Sequence, residues 1–529
     1  MVDTLGHPEN AASGGIVNDT VKDLCDDFAR GRIDRRTLIR RLGGLAAAAV
    51  APASLALLGA DEALAQSAIP RSPFGAGPCD VLVIGAGLAG STAALVAARA
   101  GARVILIDRS TSGIGAGNTT MTSGFINTGG KPVRADPAEL YEFVMAEGRA
   151  YPDLVKAWAA TCSRALDFLE ACGVARDNQL EPESPVAPGP VYKKDTGRNT
   201  LTKLKALFVD SGGTYLSGVE ALRLISEDGR IRGVVANSGR DTAELRSRAT
   251  VLSSGGFNAN TDMLRRYVGR QAPKCKLRGS LACVGDALTM ALEVSAKTVN
   301  LEYFYGHLHS LQALTDDRFW PYPRLDNIVN GGLLVDVRGN RFADEGRGDV
   351  ALANEVARSA DPTSYAIVFD QPAWDRSTDA QSKYPQPPNA NPWLIEKDGD
   401  LHVRANEAEL ADALGVDRAN LVRTVGTVNR AIQAGNAASL SVPRTGLTRP
   451  LTGPFYGMKV VPGITVTMGG LLIDGRARVL SDKEIPIAGL YAAGDAIGGL
   501  MGGHRGGYFG GVLQATVTGI LAGENAARS

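Results

Sequence analysis

"CDVLVIGAGLAGSTAALVAARAGARVILIDRS", residues 79–110, is where the fold can be read. The apolar run Val81–Ile84 stops at Gly85-x-Gly87-x-x-Gly90. An alanine-rich stretch of helical composition follows, and a second apolar run closes on Asp108. Strand, tight turn, helix and strand within about 30 residues make a βαβ unit. The three glycines permit the turn and let backbone N–H groups approach a pyrophosphate at the helix N-terminus, where the peptide dipoles favour an anion. Asp108 stands 23 residues after Gly85, where a carboxylate can hold a ribose 2′-OH. The unit predicts dinucleotide binding and leaves FAD and NAD both open.

Glycine recurs downstream. The chain carries 63 glycines in 529 residues, about 12% against a usual ~7%, and they are clustered rather than periodic. "NTTMTSGFINTGG" (118–130) offers hydroxyls, an amide and bare backbone. "ATVLSSGGF" (249–257) and "GLYAAGDA" (489–496) are buried-strand patterns that end in glycine. "GDAIGGLMGGHRGGYFGG" (494–511) is half glycine, with His504 and Arg505 in its middle. Several strand ends converging on one long ligand suit FAD better than NAD.

The rest of the chain frames these segments. A length of 529 residues predicts two or three domains. Lys+Arg and Asp+Glu balance at 56 each, so nucleic acid or an anionic surface is not expected as a partner. "DRRTLIRRLGG" (34–44), the apolar "LAAAAVAPASLALLGA" and the small residues Ala63–Ala65 follow the plan of a secretory signal. The pair Arg35–Arg36 is similar to the twin-arginine type. Residues 1–65 are read as this signal and 66–78 as a Pro/Gly/Ser linker; no stable membrane span is expected, since Pro52 interrupts a weakly apolar run. Periplasmic or secreted localisation follows. Five cysteines would remain after cleavage at Ala65, an odd number that leaves at least one thiol free. No CxxC or CxxCH occurs, so neither a zinc ribbon nor a c-type haem is supported, and no metal ligands are assigned.

Collinear motifs extend the reading. "ATVLSSGGF", "VGDALTMALEVSA" (284–296), "LEYFYGHLHS" (301–310), "RGNRFADE" (338–345), "VTMGGLLID" (466–474) and "GLYAAGDA" occur in an order and spacing that resembles the soluble fumarate reductase and 3-ketosteroid dehydrogenase flavoprotein superfamily, from about Cys79 to Ala526. The resemblance implies an α/β fold: a Rossmann-type FAD-binding domain in two segments, 79–302 and 449–529, with an inserted α+β cap domain at 303–448. It implies non-covalent FAD. The residues expected to line it are Gly85, Gly87, Ala89, Gly90 and Asp108 in the first unit. Asn118, Thr119, Ser123, Gly124, Gly255, Gly256 and Asp286 follow, then Gly494, Asp495, Gly510 and Val512.

The resemblance also implies hydride exchange between flavin N5 and a carbon next to a carbonyl or carboxylate. Such chemistry needs a cation on the activating oxygen and an acid or base for the second proton. Arg505 stands where the family keeps its substrate-binding arginine. His307 matches a histidine that hydrogen-bonds a substrate carboxylate, with His309 a weaker candidate. Arg347 matches the proton-donating arginine if two residues are deleted; without a gap Asp349 falls there. A second family histidine is replaced by Val466, and the upstream Glu-x-x-Arg relay is missing from "RLDNIVN". Lost hydrogen-bond partners make a small dicarboxylate a poor fit. Val466 with Tyr303, Tyr305, Phe319, Trp320 and Tyr322 points to a bulkier, less polar substrate than fumarate. Tyr303, Tyr305 and Tyr508 are alternative proton carriers. No haem or FMN-carrier segment is recognised, so a separate quinone or redox protein is expected to exchange electrons. Two rival readings are an exported flavin oxidase or amine-type dehydrogenase using O2, and a non-catalytic flavoprotein carrier.

Overall fold

In the computed structural model of the chain, the described residues are 77–122, 124, 126, 128–146, 150–174, 176–177, 191–192, 196–239, 241–378, 389–503 and 507–529. The chain divides after Ile69 into two units, and the second, Pro70–Ser529, holds every described residue. The expected signal, most of the linker, Ser123, His504 and Arg505 lie outside the described residues. No helix among the described residues is long and apolar enough to cross a membrane.

The architecture is mixed α/β. β1 (Cys79–Ile84), α1 (Leu88–Arg99) and β2 (Val104–Asp108) form the βαβ unit. β1 runs parallel to β2, with Ile84 beside Ile107, and parallel to β3 (Thr242–Leu252), with Ile84 beside Leu252. A strand buried on both faces needs a continuous apolar run, which is what β1 supplies. Strand Pro486–Ala492 adds beyond β3 and pairs Ala492 with Leu252. Ile84, Leu252 and Ala492 therefore end side by side, and three glycine-rich segments leave the sheet at one edge. A crevice outside the carboxyl ends of parallel strands is where such sheets bind ligands.

A second, antiparallel sheet has the order β4 (Phe304–Ser310), β6 (Phe455–Thr467), β5 (Tyr365–Asp370) and Leu333–Val335. Short strand Lys276–Leu277 runs parallel to β6 at Gly463 and Ile464. β6 has two long partners, Phe455–Val460 pairing with β5 and Val460–Thr467 with β4, and His402–Arg404 also pairs along Phe455–Gly457. This sheet thus reaches past residue 448, the expected end of the inserted segment. At the far end of β6, Thr467 Oγ1 accepts from Phe257 N–H at 3.2 Å, beside the glycines that follow β3.

Two helices close the first sheet. α3 (Gly511–Ala527) lies against α1 so closely that a Cβ on Gly519 would sit 2.6 Å from Ala89 O, and one on Gly523 2.5 Å from Ala93 O. The step from 519 to 523 follows the step from 89 to 93, so the helices run parallel. Both helix N-termini, with their partial positive charge, therefore face the same way.

Candidate active site

The cofactor end is built on the turn after β1. Gly85 has φ +101°, and a Cβ there would lie 2.6 Å from Ser253 O, so no other residue fits. Ala86 N–H donates to Asp108 Oδ2 at 2.7 Å, and Leu88 N–H to Thr119 Oγ1 at 3.1 Å. Gly87, the N-cap of α1, brings no side chain to the helix start, and a Cβ there would meet only Thr119 Oγ1, at 3.6 Å. With Leu88 N–H held by Thr119, the glycine-lined turn leaves room for a pyrophosphate at the helix N-terminus. Thr119, Gly124 and Val512 line one cavity together with Leu88 and Thr200.

The other expected cofactor residues gather along the same edge. Asn118 accepts from Ser280 N–H at 2.7 Å and places Nδ2 3.4 Å from Asp495 Oδ2. Gly494 packs on Ala89: a Cβ there would be 2.7 Å from the alanine's own. Gly255 faces Cys283 Sγ, and Gly256 packs against Thr467 Oγ1, which leaves no room for a side chain at that position. Gly90 abuts the Gly85 carbonyl. Asp286 pairs with Arg109 at 3.2 Å. Gly510 precedes α3, whose Gly511 N–H donates to Tyr508 Oη at 2.8 Å. Burial pushes the Asp495 carboxyl up to about 6, against the opposing Asn118 amide. Burial also raises Asp286, with Arg109 opposing. This donor set and this glycine-lined edge fit an extended dinucleotide.

The second cluster sits on β4. Alternation along the strand puts Tyr305 and His307 on one face. His307 Nδ1 lies 2.6 Å from Asp349 Oδ2 and 3.0 Å from Asp326 Oδ2, and its Nε2 lies 2.8 Å from Tyr305 Oη. Both ring nitrogens are engaged within the protein, so His307 reaches a substrate only through Tyr305. The Tyr305 ring stacks on that of Tyr508, and Val466 is its cross-strand neighbour. Asp349 opens α2 (Asp349–Ala357), while Arg347, two residues earlier, sets Nη1 3.3 Å from Glu355 Oε1. His309 is fully buried, with Nδ1 3.2 Å from Pro323 O, which makes Nδ1 the donor. Phe319 and Tyr303 are buried; Trp320 and Tyr322 are half-buried.

Charges in this cluster shape one another. Burial disfavours the His307 imidazolium, but Asp326, Tyr305 and Asp349 outweigh it and raise the pKa to about 10. Burial raises the Tyr305 hydroxyl, yet His307, Arg324 and Arg278 together hold it below its ordinary value. Burial and the nearby Tyr305 push Tyr508 up. The site therefore holds a charged imidazole donating to a phenol that sheds its proton more readily than a free tyrosine. Asp326, Arg278 and Arg324 carried no signal in the sequence. Asp349 had one: it is the ungapped partner of the family's proton donor.

A family model described as FAD binding domain matches residues 80–508. A fumarate reductase (cytochrome) of Shewanella frigidimarina is 27% identical over 507 residues, covering 90% of this chain and 81% of the relative. A urocanate reductase of Eggerthella lenta is 26% identical over 492 residues, covering 87% and 77%. The solved structure of a 3-ketosteroid-Δ4-(5α)-dehydrogenase from Rhodococcus jostii RHA1 superposes with a TM-score of 0.64 at 21% identity, covering 85% of this chain and 97% of the other.

Proposed function

The chain belongs to the FAD binding domain family and is an FAD-dependent oxidoreductase, and from that premise we propose that it interconverts a C=C bond beside a carbonyl or carboxylate and its saturated form. FAD, when bound, supplies the two-electron redox chemistry. The chain's residues supply the rest. The amides opening α1, with Asp108 and Asn118, hold the dinucleotide without a covalent bond. Tyr305 moves the second proton: it gives one to carbon during reduction and takes one during oxidation. His307, pinned by Asp326 and Asp349, donates to Tyr305 Oη and stabilises negative charge there. Asp349, whose side chain is 27% exposed, links the histidine to water. Arg505 clamps the activating oxygen. Arg347, on the turn before α2 and paired with Glu355, stands as the alternative proton donor.

One observation carries this reading: a Tyr305–His307–Asp349 chain, held at 2.8 and 2.6 Å, beside the edge where the glycine segments converge. Val466 against Tyr305 favours a substrate bulkier and less polar than fumarate. That urocanate reductase and a ketosteroid dehydrogenase are similar to this chain fits the same preference. In this reading 79–302 and 449–529 hold FAD and 303–448 closes over the substrate, with β6 reaching from the second FAD segment into the sheet of the cap. Electrons come from or go to a separate quinone or redox protein, and the protein is exported by the twin-arginine route. The test is anaerobic mixing of the yellow protein with cyclic enones, steroid-like ketones and unsaturated monocarboxylates. Reoxidation of reduced flavin, or bleaching by the saturated partner, is expected. A response to fumarate alone would overturn the substrate class, and no response to any of them would overturn the reaction.

A further inference from the structure

Among the described residues, Arg278 has no carboxylate as counter-charge. It follows short strand Lys276–Leu277, and its backbone N–H donates to Ile464 O at 2.8 Å. Nη1 donates to Thr465 Oγ1 at 2.8 Å and Nε to Pro321 O at 3.3 Å, while Cζ lies 5.4 Å from the centre of the Tyr322 ring. Thr465 is the chain neighbour of Val466, which pairs with Tyr305 across the sheet. An arginine has five N–H donors; these contacts use two. Nη2 and one hydrogen of Nη1 are left without a partner among the described residues. The contrast with Arg324 is direct: that guanidinium has Asp326 at 3.6 Å, whereas no carboxylate among the described residues lies within ion-pair reach of Arg278.

A half-buried guanidinium with a fixed fork and no anion loses hydration without Coulombic return. Bidentate geometry suits it to a carboxylate. Thr465, which holds Nη1, adjoins Val466 opposite Tyr305, so the fork lies near the proton-transfer end, and its charge helps hold the Tyr305 hydroxyl below its ordinary value. We infer that Arg278 binds a carboxylate of the substrate, which makes the substrate an organic acid rather than a neutral ketone. The inference rests on the reaction assigned above and narrows it. Thr465 and the Tyr322 face orient the fork. Arg278 is thus a specificity-determining residue that neither the family motifs nor the chain's own spacing marks.

The experiment uses the full flavin-loaded chain and acid–amide pairs of equal shape: benzoate with benzamide, and trans-cinnamate with trans-cinnamamide. Affinities are read anaerobically from the perturbed flavin absorbance, with sulfate holding the ionic strength constant. The wild type is expected to bind each acid more tightly than its amide. Arg278→Gln is expected to weaken the acids by about 10- to 100-fold, the range for a hydrogen bond to a charged group, and to leave the amides within about twofold. Arg278→Lys, which keeps the charge without the fork, falls between. Flavin absorbance at full stoichiometry and an unchanged far-ultraviolet spectrum certify folding. Equal binding of acids and amides by the wild type, absence of acid binding, or an Arg278→Gln variant that binds acids like wild type would each overturn the inference. Arg278-dependent acid binding without reduction of any enoate would sink the assigned reaction and leave the anion site standing.

Discussion

The ring of Tyr305 lies face to face on the ring of Tyr508, centroids 3.7 Å apart and planes 10° apart. One residue belongs to the second sheet and the other to the glycine-rich stretch that opens α3. The contact joins the proton-transfer end to the cofactor edge, because Tyr508 Oη also accepts from Gly511 N–H at the start of α3. A shift of α3 is therefore felt at Tyr305 through one aromatic plane and at the cofactor through the helix N-terminus.

Tyr305→Phe separates proton transfer from binding. The ring and its stack on Tyr508 survive, and only the hydroxyl beside His307 is lost. Turnover is expected to fall by ~10²–10⁴, the usual worth of a positioned acid or base, while flavin content and affinity for the benzoate–benzamide pair hold. Single-turnover kinetics of flavin reduction or reoxidation measure it. Turnover within a few-fold of wild type would return the role to another group.

His307 makes stability depend on alkaline pH. Its folded pKa is pushed up to about 10 from an ordinary 6.5, raised by Asp326, Tyr305 and Asp349 against the cost of burial. A raised pKa means the folded state binds the proton more tightly. The stabilisation is complete below pH 6.5, shrinks above it, and is lost as the pH passes 10. Thermal unfolding followed from pH 6.5 to 10 is expected to fall more steeply for wild type than for His307→Gln. Parallel curves would mean that the imidazole is neutral throughout.

The cofactor half was open to reading because its signals are local. An apolar strand, three glycines at set spacing and an aspartate at the next strand end are all contained in residues 79–108, and the structure places Asp108 Oδ2 2.7 Å from Ala86 N. The substrate half was not, because its partners meet through pairing between distant segments. Arg278 takes its place from a two-residue strand beside β6, and Asp326 from the start of a short helix, Asp326–Asn330, that only the fold carries to His307. Asp349 and Arg347 stand two residues apart, so a single gap decided between them. Nothing in the residue pattern of β6 tells that its first half pairs with β5 and its second half with β4.

The parallel packing of α1 and α3 tolerates no side chain at its contact. A Cβ at Gly519 or Gly523 would press on the carbonyl oxygens of Ala89 and Ala93, and backbone cannot rotate away as a flexible side chain would. Gly519→Val is expected to cost about 1–3 kcal/mol, typical of overpacking, and to weaken FAD retention by tilting both N-termini. Urea unfolding and flavin release on dilution test the pair of effects. A loss of stability with flavin retention intact would show that helix alignment does not matter for the cofactor.

Asp495 gives a separate reading of the cofactor edge. Burial lifts its carboxyl to about 6 from an ordinary 3.8, the Asn118 amide opposing. Between those values the unfolded chain has released its proton and the folded chain has not. The folded state is therefore favoured below pH 3.8 and loses that advantage as the pH rises through 6. Flavin-stripped protein is expected to become easier to unfold by urea as the pH goes from 4 to 6.5. Asp495→Asn replaces the carboxylate by a neutral group of the same shape, so this component of the slope should vanish. Loading wild type with FAD should reduce the slope as well, since hydroxyl donors from a ligand favour the ionised form. Identical slopes for wild type and Asp495→Asn would place the carboxylate in water, and with it the edge on which the glycine segments converge.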